Sequence, residues 1–223
     1  MTTDIDIYAE AIVDKTNDLD FIMTFFGSDK GHPLNETTHN YTKIYDVLFK
    51  GIRNQPLRVF ELGIGTTNLN VASNMGPNGS PGASLRGWKH YFPNAKIFGA
   101  DIDEGCLFQE TDIQTFQCDQ TNPESIKKMW EVPCLAEQGF DILIEDGLHI
   151  FNANVSFFEN SFHKLNLGGI FIIEDIMDYT FHLWDTKLEY WKNKYPHLQF
   201  RFYTIPFVHI SHDNTVLIVK RIF

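Results

Sequence analysis

The sequence predicts an α/β fold: a doubly wound, mostly parallel seven-stranded sheet, with helices at the N-terminus and an antiparallel strand pair at the C-terminus. Three observations carry this. From Leu57 onward, short runs rich in β-branched and aromatic residues alternate with helical segments, the pattern of parallel βαβ units. The last two such runs are joined by a short turn, so they pair antiparallel. Residues 1–55 read as helices and loops, a helical cap segment that belongs to the same domain as the sheet region 56–223.

Taken in order, "LDFIMTFFG" is a short apolar helix stopped by Gly27, and "YTKIYDVLFKGI" sets Tyr41, Ile44, Tyr45 and Leu48 on one helical face. The polar segment "GSDKGHPLNETTHN" lies between them as a loop. "LRVFELG" is the first strand and runs into glycines; "AKIFGADI", "IQTFQCD", "FDILIED" and "GGIFIIED" are the next four. "SLRGWKHYF" and "NPESIKKMW" are intervening helices. After Asp146, Phe151, Val155, Phe158, Phe162 and Leu165 form one apolar helical stripe, ended by Gly168-Gly169. "QFRFYTIPF" and "TVLIVKRI" form the closing pair around a turn near His212-Asp213-Asn214.

Composition narrows the function. A hydrophobic share of 43% and a charged share of 21% are those of a soluble globular domain. The formal charge of −11 argues against nucleic acid or an anionic membrane surface as partner. No apolar run reaches membrane-spanning length, and the acidic start "MTTDIDIYAE" is unlike a signal peptide. Cys106, Cys118 and Cys134 show no C-x-x-C pairing, which fits reduced thiols in a cytoplasmic protein.

In open α/β sheets, ligands bind beyond the carboxyl ends of the strands. The acidic residues Glu61, Asp101, Asp119, Asp146, Glu174 and Asp175 all fall at such ends. Gly63 and Gly65 in "ELGIG" allow a sharp turn and close approach of a ligand. The segment is not a dinucleotide fingerprint, because Asn68 stands where the third glycine belongs, and no Gly-Lys-Ser/Thr follows to make a P-loop. Asp101 is placed to accept from ribose hydroxyls, with Asp103 a competitor, and Asp119 from an adenine amino group. For each aspartate the other reading is a helix N-cap. Asp146 and His149, at a strand-to-helix turn, share a cleft, and Glu174-Asp175 end the next strand. Carboxylates so clustered need a proton or a cation, and a hard divalent cation suits oxygen ligands. N-caps, solvated acids and a surface histidine are the alternative.

"GSDKG" with His39 and Tyr41, "VFELGIG", "GASLRGWKHYFPNAKIFGADID", "CDQ", "IEDGLH" and "LGGIFIIEDI" together resemble S-adenosylmethionine-dependent O-methyltransferases of the class I fold, in particular the macrolide-sugar and polysaccharide-sugar enzymes. The resemblance runs from about Gly27 to Asp175. It implies cofactor contacts from Glu61, Gly63, Gly65, Ser84, Asp101, Asp119 and Gln120. It implies a magnesium ion held by Asp146, Glu174 and Asp175, with His149 as catalytic base. In the N-terminal segment Lys30 is placed to pair with the cofactor's carboxylate, and His39, Tyr41 or Tyr45 to line the substrate side; a capping loop with packed aromatics is the alternative. The acceptor that the resemblance implies is a sugar hydroxyl, free, nucleotide-linked or on a glycosylated natural product. The usual D-D-G-S-H reads Glu145-Asp146-Gly147-Leu148-His149 here, so one hydroxyl near the site is missing. The glycine- and proline-containing segment 66–83 is placed to lid the site.

Two other readings stand beside this one. The acceptor is an amine, on an amino sugar or a phosphoethanolamine-type group, which needs little activation; or the fold serves as a binding module without turnover. Partners are in every case small molecules or saccharides, and the ends of the sheet leave room for a homo-oligomer.

Overall fold

The computed structural model describes residues 17–31, 39–206 and 212–223. The first sixteen residues, most of the polar loop before His39, and the end of the "QFRFYTIPF" run lie outside them.

The N-terminal segment forms two short helices, α1 (Asp18–Phe26) and α2 (Thr42–Phe49). A capping box starts α1: the Asn17 side chain accepts from Asp20 N, and the Asp20 carboxylate accepts from Asn17 N. Gly27 ends it in the left-handed conformation at φ 84°. Both helices turn apolar faces inward, with Leu19, Met23, Ile44, Tyr45 and Leu48 buried.

The strands are β1 (Arg58–Leu62), β2 (Lys96–Asp101), β3 (Gln109–Glu110), β4 (Ile113–Gln117), β5 (Phe140–Glu145), β6 (Leu165–Ile173), β7 (Leu198–Thr204) and β8 (Thr215–Arg221). Their order across the sheet is β3-β4-β2-β1-β5-β6-β8-β7. The pairs from β4 to β6 are parallel, and β8 runs antiparallel to both β6 and β7. The seven expected strands are present in a doubly wound order, and the two-residue β3 adds an antiparallel edge to β4. From β1 the chain winds one way to β2 and β4, then the other way to β5 and β6, so the topological switch lies between β1 and β5.

Strand parity sorts the side chains onto two faces. Val59, Ile97, Ile142, Ile144, Ile170 and Ile172 pack toward α1, α2 and α3 (Ala83–Tyr91). Phe60, Leu62, Leu143, Phe171 and Ile173 pack toward α4 (Pro123–Trp130), α6 (Phe151–Ser161) and α7 (Phe181–Lys194), with the one-turn α5 (Pro133–Ala136) between α4 and β5. The same alternation directs the acidic strand ends. Glu61 falls on the α1–α3 side, where Ser84 and Trp88 donate to it, and Glu174 on that side meets Tyr45 of α2. Glu145 falls on the other face, with Gln120.

Two expectations are corrected. The apolar stripe after Asp146 does not run on to Leu165: α6 stops at Ser161, a 3-10 turn spans Phe162–Lys164, and Leu165 opens β6 opposite Phe140. Gly168 and Gly169 therefore lie inside β6, not at a helix end. Gly168 is at φ 79°, where the register between β5 and β6 shifts, as in a bulge. Helix α7 has no counterpart in the sequence reading. Its Trp184, Leu188 and Trp191 are buried at helical spacing, but charged residues between them obscure the stripe.

Candidate active site

The loops beyond the strands extend the sheet's ladder by one step. Gly63 N donates to Ala100 O at 2.8 Å, Asp146 N to Leu62 O at 2.9 Å, and Glu174 N to Glu145 O at 2.9 Å. Gly63, Asp146 and Glu174-Asp175 are thereby brought side by side at the carboxyl edge of β1, β5 and β6. The fit at Gly63 is tight: its φ is 82°, and a Cβ there would lie 1.8 Å from Asp146 O. Only glycine satisfies both conditions.

A cleft of about 550 Å³ opens over this edge. Gly63, Gly65, Ser84, Asp101, Asp119 and Gln120 line one end, and Lys30, His39, Asp146, His149 and Asp175 the other. Three residues expected at the site stand behind the wall instead. Glu61, Glu174 and Tyr41 are at most 2% exposed and face buried partners. A second concavity, of about 610 Å³, lies at the amino ends of the strands around Arg58, Lys96 and Asp141, the end of an open α/β sheet that does not carry the ligand.

At the first end, Asp101 is held by Ile64 N and Asp103 N, each at 3.1 Å. Burial pushes its carboxyl pKa up against these backbone donors. Asp103 caps the 3-10 turn Glu104–Cys106 and accepts from Thr66, so of the two aspartates Asp101 is the one in the cleft. Asp119 does not cap α4; Asn122 does, while Asp119 accepts from Thr121 N at 2.9 Å. The Gln120 amide is fixed in both directions, donating to Glu145 Oε1 at 2.9 Å and accepting from Leu148 N at 2.8 Å. Burial raises Glu145 to about 6.

At the second end the acids are woven into the N-terminal segment. His149 Nδ1 lies 2.7 Å from Asp175 Oδ2, and its Nε2 is 3.7 Å from Asp146 Oδ1. Burial opposes charge on His149, but the Asp175 carboxylate and its hydrogen bond outweigh it and raise the imidazole to about 9. Burial alone would raise Asp175, yet His149, His39 and Tyr41 hold its carboxyl below the usual range. Tyr41 OH donates to Asp175 Oδ1, and His39 Nε2 is 3.4 Å from the same oxygen. His39 stacks on Tyr41 at 4.7 Å and meets Asn214 through Nδ1. Tyr45 OH donates to Glu174 Oε1. Burial first, and then these carboxylates, hold both phenols well above their ordinary pKa, so they are fixed donors.

Lys30 was expected beside a cofactor carboxylate. Its Nζ instead donates to Asp146 Oδ2 and to Glu174 Oε2 at 2.6 Å, with Glu61 Oε1 at 3.6 Å. Burial lifts Glu174 to about 7 despite Lys30.

Among the described residues, one oxygen or nitrogen each of Asp146, His149 and Asp175 lie within 4.8 Å of one another. The hard carboxylate oxygens of Asp146 and Asp175 fit a divalent cation, and the His149 imidazole stands beside the same point. His149 and Asp175 both adopt left-handed backbone, at φ 59° and 53°. Such φ values are uncommon outside glycine and cluster at functional sites.

The segment 66–83 runs beside this end: Val71 and Met75 line the cleft, and Ser73 Oγ donates to Leu148 O at 3.2 Å. Tyr45 follows Tyr41 by one helical turn, and Glu145 stands in the acidic strand end Glu145-Asp146; Asn214 is the partner that no residue pattern marked.

Strand order, switch point and crevice are those of the class I methyltransferase fold. A scan of protein-family models gives no match. The curated homologues are sugar O-methyltransferases. Over 138 residues the chain is 33% identical to 8-demethyl-8-alpha-L-rhamnosyl tetracenomycin-C 2'-O-methyltransferase of Streptomyces olivaceus, covering 62% of this chain and 33% of that protein. Over 139 residues it is 37% identical to mycinamicin VI 2''-O-methyltransferase of Micromonospora griseorubida, covering 62% of this chain and 32% of that one. The chain thus spans about a third of the length of these relatives. A methyltransferase of the mycinamycin biosynthetic pathway, solved in complex with Mg, SAH and mycinamycin VI, superposes with a TM-score of 0.70 at 25% identity. That match covers 93% of this chain and 55% of the other. No helix of the described residues is long and apolar enough to cross a membrane.

Proposed function

We propose that the chain is the methyl-transferring unit of an S-adenosylmethionine-dependent O-methyltransferase that acts on a sugar hydroxyl with the help of a divalent cation, magnesium by preference. Residues 56–223 are its methyltransferase domain and 1–55 the helical cap. The observation that carries the reading is the convergence of Asp146, His149 and Asp175 in the same cleft as Asp101 and the Gly63–Gly65 turn. Similarity to sugar O-methyltransferases supports it, as does the complex of the mycinamycin-pathway neighbour with Mg and SAH.

When bound, S-adenosylmethionine supplies the methyl group as a sulfonium, and the cation supplies Lewis acidity toward the acceptor oxygen. Gly63 and Gly65 admit the methionine part against the backbone. Asp101 receives the ribose hydroxyls, and Asp119 with Gln120 borders the adenine. Ser84 lines this side, with Glu61 fixing it from behind. Asp146 and Asp175 line the cleft and would hold the cation, with Glu174 reaching it from behind through the oxygen that it shares with Lys30, and Lys30 balances their charge. Despite burial, His149 is raised to about 9 by the Asp175 carboxylate in the cation-free protein, and would fall toward its ordinary value once that carboxylate is shared with the cation. The neutral ring then takes the acceptor's proton at Nε2, because its Nδ1 is committed to Asp175. That bond orients the ring and stabilises the imidazolium as it forms. His39 and Tyr41 brace Asp175 on the substrate side.

A formal charge of −11 and a cleft lined by carboxylates fit a small acceptor and not a nucleic acid. Three free cysteines fit a reducing, cytoplasmic setting. The test is methyl transfer from labelled S-adenosylmethionine to a panel of glycosides and amino sugars, with and without chelator. Transfer to hydroxyls that chelator abolishes and Mg²⁺ restores is expected. Transfer only to amines, indifferent to chelator, would overturn the reading.

A further inference from the structure

Lys30, in "GSDKG", is the charged residue at the site for which methyl transfer offers no direct task. It is 1% exposed. Its ammonium enters from the loop after α1 and stands where three buried or half-buried acids meet: Asp146, Glu174 and Glu61. Glu61 is closed off behind it by Ser84 and Trp88. Both oxygens of Glu174 are engaged, one by Lys30 and one by Tyr45. Of Asp146, Oδ2 is taken by Lys30, while Oδ1 faces His149. Carboxylates removed from water in this way need a positive partner.

We propose that Lys30 is a tethered internal cation at the Asp146–Glu174 edge of the divalent-cation site. It keeps these carboxylates paired in the cation-free protein and competes with the divalent ion for them, and so sets the affinity. The inference rests on the cation reading above and deepens it. A unit positive charge bonded to two of three proposed ligands repels an incoming cation at close range, where little solvent screens the pair. The ammonium and the ion also contend for the same carboxylate oxygens. Without Lys30, two acids lose their partner, and a divalent ion is the natural replacement.

The experiment is a calorimetric Mn²⁺ titration of the full chain as wild type, Lys30→Met and Lys30→Arg, with thermal midpoints measured with and without Mn²⁺. Lys30→Met is expected to bind Mn²⁺ at least about tenfold more tightly than wild type, and its midpoint to rise more on adding the ion. Lys30→Arg keeps the charge and gains no affinity. Equal or weaker binding by a folded Lys30→Met overturns the proposal. If Lys30→Met folds only when Mn²⁺ is present, and not in KCl of equal ionic strength, the proposal stands; if Mn²⁺ does not recover it, the proposal fails. Should neither wild type nor Lys30→Met bind Mn²⁺, the cation site itself is wrong; should both bind alike, only the role of Lys30 is.

Discussion

His149 and Asp175 face each other from adjacent strand ends, Nδ1 to Oδ2 at 2.7 Å, and both hold a left-handed backbone. Two non-glycine residues in a sparsely populated conformation, joined by a charge-assisted bond, mark a place where geometry has been favoured over local comfort. The pair fixes which imidazole nitrogen is left to the cleft.

Removing either member should therefore damage turnover more than binding. His149→Ala is expected to lower kcat by about 10²–10⁴-fold while leaving the dissociation constant of S-adenosylmethionine within a few-fold. Asp175→Asn should also lose at least about 10²-fold, with weaker Mn²⁺ binding in addition. Single-turnover kinetics beside calorimetry separates the two effects. A His149→Ala protein with normal kcat would remove the histidine from the chemistry.

The same pair makes the stability of the metal-free protein depend on pH. The folded-state pKa of His149, about 9, lies above the ordinary 6.5, so the folded state binds the proton more tightly than the unfolded chain. Its contribution is fully present below about 6.5 and is lost as pH rises through about 9. In chelator, the gap in Tm between wild type and His149→Gln should be widest near pH 6 and close above about 9. A gap that widens with rising pH would contradict the pairing.

Gly63 is the backbone hinge on which the cofactor end depends. At φ 82°, with a prospective Cβ 1.8 Å from Asp146 O, alanine cannot be accommodated without moving the Asp146 loop. Gly63→Ala should cost about 3 kcal/mol or more in stability and weaken both S-adenosylmethionine and Mn²⁺ binding. Denaturant unfolding measures the first; a variant as stable as wild type would mean that the two loops are not in contact.

Tyr45 holds Glu174 from behind. Tyr45→Phe leaves that buried carboxylate oxygen without its donor, which should cost about 1–3 kcal/mol. The loss should shrink on adding a divalent cation. An equal loss with and without the ion would place Glu174 outside the cation site.

Much of this was legible in the residues. Alternating runs revealed the parallel sheet, and acids at the ends of those runs marked its carboxyl edge. Strand parity lies in the same residues: in "VFELG" and "FIIED", Glu61 and Glu174 sit two positions from Val59 and Ile172, which face the α1–α3 side. What parity could not supply is the partner across the chain. That Lys30 lies against Asp146 and Glu174, at separations of 116 and 144 residues, depends on how α1 and α2 pack on the sheet. No local signal encodes that packing. The aromatic run after Asp146 misled for a related reason: Leu165 continues the helical spacing, but pairing with Phe140 draws it into β6. Tertiary pairing overrode a local period.

The central claim is that one cleft binds a sulfonium cofactor at the β1–β2 end and a divalent cation at the β5–β6 end. Calorimetry with S-adenosylmethionine, followed by Mg²⁺, on wild type and Asp146→Ala tests both ends at once. The expected result is cofactor binding by both proteins and Mg²⁺ binding by wild type alone. Absence of cofactor binding by the folded wild type, or Mg²⁺ binding undiminished in Asp146→Ala, would contradict it.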